Sequence, residues 1–131
     1  MKIAVSATGK DLHSEIDPRF GRCQYFIFVD PETMEFEALE NEGLMASGGA
    51  GVQAAQSVVQ KGANAVITGN LGPNAASALS ASGIKVYLAP GGTVKDVTEA
   101  FKAGKLQEVS GSTVSPHFGM GGGRGMGGRK G

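Results

Sequence analysis

Short apolar runs alternate with amphipathic stretches along the chain, and this pattern predicts a mixed α/β fold. Four runs have the length and the β-branched or aromatic content of buried strands: 3–5, 25–29, 65–68 and 85–88. Residues 34–39 alternate apolar and acidic side chains, which predicts a half-exposed strand that forms a hairpin with the preceding one. Apolar residues at helical spacing predict three helices, which begin near Val52, Asn74 and Val94.

This order of elements constrains the topology. Strands that alternate with helices favour a parallel sheet with right-handed crossovers. We therefore expect a three-layer α/β domain over residues 1–110, with a mixed five-stranded sheet in the order 3-2-1-4-5. The second strand is expected to be antiparallel, and helices are expected to flank the sheet. Residues 111–131 are expected to form a disordered, glycine-rich, cationic tail.

Glycine and charge divide the chain at the same place. Of 22 glycines in 131 residues, 8 lie between Gly119 and Gly131. That end carries Arg124, Arg129 and Lys130 and no acidic residue, which leaves 9 basic and 12 acidic residues in the body. The acidic body argues against nucleic-acid binding by bulk charge. The tail has two open interpretations: it binds an anionic ligand, or it is a solubilising end.

The remaining composition indicates a cytoplasmic protein. A single cysteine excludes an internal disulfide and a zinc site built from cysteines alone. No apolar run approaches the length of a membrane span, and the N-terminal apolar stretch is too short for a signal peptide. We therefore expect neither a membrane partner nor a secreted location.

Two glycine-containing loops, 47–51 and 69–73, come directly before predicted helices. In such sheets, ligands bind beyond the carboxyl ends of the parallel strands, where helix N-termini present free N–H groups to anions. The candidate binding residues in these loops are Gly49, Gly51, Gly69, Asn70 and Gly72. The alternative is that these glycines only form turns and helix caps.

The segment 17–23 carries the most reactive combination of side chains. Arg19 and Arg22 flank Phe20 and Gly21, and arginine suits anions with several acceptor atoms. The Cys23 thiolate could ligate a soft metal, and His13 could join it as a second ligand. The alternatives are that the arginines pair with surface acids, that Cys23 is a buried apolar residue, and that His13 is simply solvated.

The chain lacks the sequence motifs of several enzyme classes. The chain contains no phosphate-binding Walker loop, no dinucleotide fingerprint and no nucleophile elbow. The first strand and strand 65–68 contain no Asp or Glu, which argues against a two-metal nuclease built on this sheet. We therefore expect a binding protein rather than an enzyme.

Four segments together resemble the dinitrogenase iron–molybdenum cofactor biosynthesis family, which includes NifX-like proteins and the C-terminal domain of NifB. They are MKIAVSATG, DPRFGR with the aromatic strand after it, VITGNLGPNA and GIKVY, and the resemblance covers roughly residues 1–108. The family's RFGR segment falls on 19–22, and its G-x-x-G loop falls on Gly69 and Gly72. Many members have His before FGR and Ala after it, where this chain has Arg19 and Cys23.

The resemblance implies a ribonuclease H-like fold and a non-catalytic role. Its implied ligand is an anionic metal–sulfur cluster or precursor, of the iron–sulfur or molybdenum/iron–sulfur type, that the protein carries or stores. Cluster-assembly or nitrogenase-type proteins are the implied partners. Two other functions stay open from the residues: a small-molecule or nucleotide-phosphate binding module, and a scaffold that works by protein contact.

Overall fold

The computed structural model describes residues 1–45 and 49–109. Their strands are β1 (Ile3–Ala7), β2 (Tyr25–Val29), β3 (Phe36–Glu40), β4 (Ala65–Thr68), β5 (Lys85–Leu88) and β6 (Gln107–Val109). Their α-helices are α1 (Ala50–Gln60), α2 (Pro73–Ala81) and α3 (Val94–Lys102), and short 3-10 helices cover Phe20–Arg22 and Glu42–Met45. The expected tail, 111–131, lies outside the described residues, as do positions 47 and 48 of the first expected loop.

The described strands form one mixed sheet in the order β3-β2-β1-β4-β5-β6. β1, β4 and β5 are parallel neighbours, and β2 is antiparallel to both β1 and β3. The predicted order and the antiparallel second strand are therefore confirmed for the first five strands.

The expected strand count of five is wrong, because β6 pairs antiparallel with β5 at the sheet edge. Leu88 lies opposite Gln107, and Val86 lies opposite Val109. The three residues of β6 include one apolar side chain, so they carry too short a pattern to predict a strand. The backbone groups of the β5 edge decide this pairing, and they leave no pattern in the sequence.

The central strands contribute to two cores, because successive side chains of a strand point to opposite faces. On one face, Phe26 and Val66 belong to the same buried cluster as Val58 of α1 and Leu79 of α2. On the other face, the buried cluster around Ile67 includes residues of α3. The sheet is thus covered by α1 and α2 on one side and by α3 on the other.

One edge of the sheet positions the site. The parallel strands β1 and β4 both end there, and the chain leaves them through the loops 8–24 and 69–72. Buried alanines on the facing sides of α1 and α2, among them Ala54 and Ala75, let both helices approach the sheet and each other closely. The N-terminus of α2 therefore lies directly beyond the end of β4.

Candidate anion-binding cleft

An open cleft of about 420 Å³ lies beyond the ends of β1 and β4. Residues from three segments of the chain line it: 19–22, 49–51, and Asn70 with 72–75. The structure thereby brings together eight of the nine binding residues expected from the sequence, namely Arg19, Phe20, Gly21, Arg22, Gly49, Gly51, Asn70 and Gly72. The lining also includes Ala50 and Pro73, which lie inside the two candidate loops, and Asn74 and Ala75, which sequence reasoning missed; their backbone forms the beginnings of α1 and α2.

Gly69, the ninth expected residue, supports one wall of the cleft and does not line it. A Cβ atom at Gly69 would lie 2.5 Å from Cβ and 2.6 Å from Cα of Pro18. The next amide, that of Asn70, donates a hydrogen bond of 2.8 Å to the carbonyl oxygen of Pro18. The absence of a side chain at Gly69 therefore lets two cleft loops run against each other.

The N-termini of α1 and α2 open into the cleft without side-chain caps. Their N-cap residues, Gly49 and Gly72, offer no side-chain acceptor. The first amides bonded within each helix are those of Gln53 and Ala76, which donate to the carbonyls of the two N-caps. The amides before them have no helical acceptor, so both helix ends present hydrogen-bond donors and partial positive charge to the cleft.

The third helix differs, because its own sequence caps it. The Thr93 hydroxyl accepts a hydrogen bond of 3.1 Å from the Asp96 amide, and the Asp96 carboxylate accepts one of 3.2 Å from the Thr93 amide. This reciprocal capping box satisfies the Asp96 amide, and the amides of Val94 and Lys95 donate to the carbonyls of Ser14 and Leu12, so the first turn of α3 has the acceptors that α1 and α2 lack.

Arg19 is held by the buried carboxylate of Asp17. Asp17 accepts hydrogen bonds from Nε of Arg19 at 3.2 Å and from Nη2 at 3.1 Å, as well as from the Arg19 backbone amide at 2.9 Å. The hydrogen bond and the charge of Asp17 raise the pKa of Arg19. The guanidinium is nevertheless largely exposed, so its remaining N–H groups face outward.

Arg22 contributes net positive charge to the cleft. Its side chain is exposed, and the ion pairs found within 1–45 and 49–109 are Arg19–Asp17 and Lys61–Glu37. Arg22 therefore has no carboxylate partner within that part of the chain. The sequence alternative in which the arginines pair with acids applies to Arg19 and does not apply to Arg22.

Asn41, which sequence reasoning missed, holds two of the cleft's supporting segments together. Its buried side-chain amide donates to the carbonyls of Gly21 at 3.2 Å and Cys23 at 2.9 Å. Its side-chain oxygen accepts from the Gly43 amide at 3.0 Å. A polar residue directly after a strand is a weak sequence signal, because most such residues are solvated.

Cys23 lies in the core and does not line the cleft. The residue is 0% exposed, and its thiol donates to the Phe20 carbonyl with an Sγ–O distance of 3.3 Å. Burial raises the pKa of this thiol to about 12. A soft-metal ligand must be a thiolate, so these surroundings favour the alternative in which Cys23 is a small buried apolar residue.

His13 lies away from the cleft. Its neighbours Leu12 and Ser14 accept hydrogen bonds through their carbonyls from the first amides of α3, which covers the opposite face of the sheet. Within the described ranges, no group of three or more His, Cys, Asp or Glu side chains is arranged to hold a metal ion. The structure therefore does not bring His13 into the cleft with the two arginines.

The polar groups that line the cleft are mainly hydrogen-bond donors. The described residues that line it include amide N–H groups, two guanidinium groups and the side chains of Asn70 and Asn74, but no carboxylate, imidazole, thiol or hydroxyl. Such a lining suits anions with several acceptor atoms and offers no general acid or base. Among the described helices, none has both the length and the apolar character needed to cross a bilayer.

Comparisons with known proteins agree with the resemblance noted in the sequence. The model of the dinitrogenase iron-molybdenum cofactor family matches residues 1–104. An uncharacterised protein of Methanocaldococcus jannaschii is 33% identical over 111 residues, which cover 82% of this chain and 91% of that protein.

Solved structures give the same result. The apo form of the orange protein from Desulfovibrio gigas is 39% identical, with a TM-score of 0.83 over 86% of this chain and 96% of that one. A NifB-like protein from Thermotoga, placed in the DUF35 family, is 40% identical, with a TM-score of 0.75 over 86% of this chain and 97% of that one. With 104 of its residues matched by the family model, the chain belongs to the dinitrogenase iron-molybdenum cofactor family.

Proposed function

We propose that this protein is a non-catalytic carrier or store of an anionic metal–sulfur cluster, or of a precursor of one, and that the cleft holds it. One observation carries the proposal: in a member of this family, two uncapped helix N-termini and two arginines converge on one cleft. The cluster is cargo, of the iron–sulfur or the molybdenum/iron–sulfur type.

The cleft suits a cluster held by its outer atoms. Sulfur atoms on the surface of an anionic cluster can accept hydrogen bonds from the amides at Ala50, Gly51, Asn74 and Ala75, where the two helices begin. Arg22 contributes net charge, and Arg19 contributes N–H groups in a fixed position. This arrangement needs no protein ligand to the metal, so we leave Cys23 and His13 out of the proposed site.

The wider setting follows from this cargo. We propose that the protein works in a reducing cytoplasm and exchanges the cluster with cluster-assembly or nitrogenase-type proteins, because free metal–sulfur species are oxidation-sensitive. The order of the first five strands also supports a ribonuclease H-like architecture with one added edge strand. In this interpretation, the cationic residues Arg124, Arg129 and Lys130 are a second place where an anionic cluster could bind.

Anaerobic reconstitution tests the proposal. The protein is incubated with iron and sulfide, or with tetrathiomolybdate, and bound metal is measured after gel filtration together with the absorption spectrum. We expect retained metal in the wild type and at least about a tenfold loss of affinity in Arg19→Ala/Arg22→Ala, because two charge-assisted donors are removed.

The matched control is Lys95→Ala/Lys102→Ala, which removes two positive charges from exposed positions on α3, away from the cleft. This variant should bind as the wild type does. Equal losses in both double variants would show that bulk charge, not the cleft, holds the cluster.

A nucleotide phosphate is the second candidate ligand, because uncapped helix N-termini also bind phosphate groups. Thermal unfolding against a panel of nucleotides separates the two functions. Stabilisation by nucleotides without retention of metal–sulfur species would favour the second candidate. Absence of both effects would favour the third function, a scaffold that acts by protein contact.

A further inference from the structure

Asp17 combines deep burial with a partner that is mostly in solvent. Its side chain is 5% exposed, whereas that of Arg19 is 64% exposed. The carboxylate accepts hydrogen bonds from the Arg19 amide and from two guanidinium N–H groups, one on Nε and one on Nη2. The pair therefore joins the interior below the cleft to an arginine at its surface.

The backbone of Asp17 is anchored to the central strands. Its amide donates a hydrogen bond of 2.9 Å to the carbonyl of Ser6 in β1, and its carbonyl accepts a hydrogen bond of 2.6 Å from the Ser6 hydroxyl. The Ser6 hydroxyl also lies 2.8 Å from that of Thr68 in β4, and all three residues are buried. The Asp17 carboxylate is therefore fixed relative to the sheet, and it fixes Arg19 in turn.

This pairing changes what Arg19 offers to a ligand. A guanidinium has five N–H donors, and Asp17 uses two of them, so three remain for the cleft in a fixed plane. The two charges of the pair cancel, which leaves Arg22 as the net cation among the described residues of the cleft lining.

We infer that Asp17 is a positioning residue of the cleft, which acts by holding Arg19 as an oriented, charge-compensated donor. This inference rests on the proposed function. An anion with several acceptor atoms gains from N–H groups that are oriented before it binds, because less side-chain freedom is lost on binding. Asp17 therefore lowers the net positive charge of the cleft but fixes the direction of the Arg19 donors.

The first experiment compares the affinities of the wild type and Asp17→Asn for tetrathiomolybdate at low salt. The isosteric amide removes the charge that compensates Arg19 and loses the two-point contact with its guanidinium. The extra net positive charge by itself would strengthen binding of the anion, whereas loss of the oriented donors weakens it. We expect the thiomolybdate affinity to fall by about fivefold or more.

Glu42→Gln is the matched control, because it removes one negative charge from an exposed residue that makes no ion pair with Arg19. The thiomolybdate affinity should stay within about twofold of the wild type in this variant. An unchanged or higher affinity in Asp17→Asn, or an equal fall in Glu42→Gln, would overturn the inference.

Arg19→Lys gives a second test that leaves Asp17 and the total charge intact. Lysine can pair with Asp17. It lacks the planar guanidinium group, which pairs with Asp17 and still has oriented N–H donors for a ligand. We expect the thiomolybdate affinity to fall by about fivefold or more although the total charge is the same. An unchanged affinity would contradict a role for the oriented donors of Arg19.

A measurement without ligand separates this inference from the proposed function. Nitrogen-15 relaxation of the arginine Nε–H groups should show Arg19 ordered and Arg22 mobile in the wild type, and both mobile in Asp17→Asn. Equal mobility of the two arginines in the wild type would overturn the inference directly. An ordered Arg19 in a protein that does not bind tetrathiomolybdate would instead overturn the proposed function and support only the positioning of Arg19 by Asp17.

Discussion

At the scale of single residues, the wall of the cleft depends on the close approach of Gly69 to Pro18. A methyl group at Gly69 would lie 2.5 Å from Cβ of Pro18, well inside contact distance. We predict that Gly69→Ala lowers the free energy of unfolding by about 1–3 kcal/mol, because the two loops must move apart. Urea denaturation measures the change.

Gly91→Ala is the control for this change, because nothing lies within 4 Å of a Cβ built at Gly91. It should change the free energy of unfolding by less than about 0.5 kcal/mol. Equal stability of the two variants would show that the loops near Pro18 adjust freely.

Cys23 makes the free energy of unfolding depend on pH in the alkaline range. Burial raises the pKa of its thiol in the fold from 9.0 to about 12. Between these values the unfolded chain releases a proton that the folded chain keeps. The contribution of Cys23 to the free energy of unfolding is therefore fully present below pH 9, and it is lost as pH rises toward 12. We predict that the free energy of unfolding falls by up to about 1.4 kcal/mol per pH unit more steeply in the wild type than in Cys23→Ala. Parallel curves in denaturation experiments over this range would contradict the prediction.

At the scale of elements, α1 and α2 keep open N-termini where α3 has a complete cap. Gly72, the N-cap of α2, has extended backbone angles and space for a side chain. We predict that Gly72→Asp raises the free energy of unfolding by about 0.5 kcal/mol, because the carboxylate caps the helix. The same carboxylate should lower thiomolybdate affinity about tenfold through occupation of the donors and repulsion of the anion.

Gly72→Ser separates these two effects, because a hydroxyl caps the helix without a charge. It should give a similar gain in stability and a smaller loss of affinity. Identical affinities for Gly72→Asp and the wild type would show that the α2 N-terminus takes no part in binding.

The capping box of α3 should matter for stability alone. We predict that Thr93→Ala lowers the free energy of unfolding by about 1 kcal/mol, because the Asp96 amide loses its acceptor. Ligand affinity should stay unchanged, since α3 covers the sheet face opposite α1 and α2. Thr93→Ser keeps the hydroxyl and should restore stability in thermal denaturation.

At the scale of the whole molecule, described residues within 1–109 supply both buried clusters and the cleft lining. We predict that deletion of 119–131 changes the free energy of unfolding by less than about 0.5 kcal/mol. Urea denaturation checks this, and a clear loss of stability would show that the tail packs on the domain.

The sequence predicted the elements that have a strong pattern and missed those that depend on partners. The helices and the first five strands carry apolar periodicity, so their positions were recognisable. β6 carries none and was missed. In the same way, the glycines and arginines of the cleft were recognisable by residue type, whereas Asp17 and Asn41 act through contacts with carbonyls and side chains that come from the fold.

By itself, the sequence determined the family, the helices and the order of the first five strands, because periodicity and motifs are local properties of the chain. Only the tertiary structure decided which groups share the cleft. It placed Cys23 in the core, left His13 exposed in a loop that bonds to the start of α3, and paired Arg19 with Asp17 while Arg22 stays exposed. The physical reason is that burial, ion pairing and the direction of a donor depend on neighbours distant in sequence, and only packing brings those neighbours together.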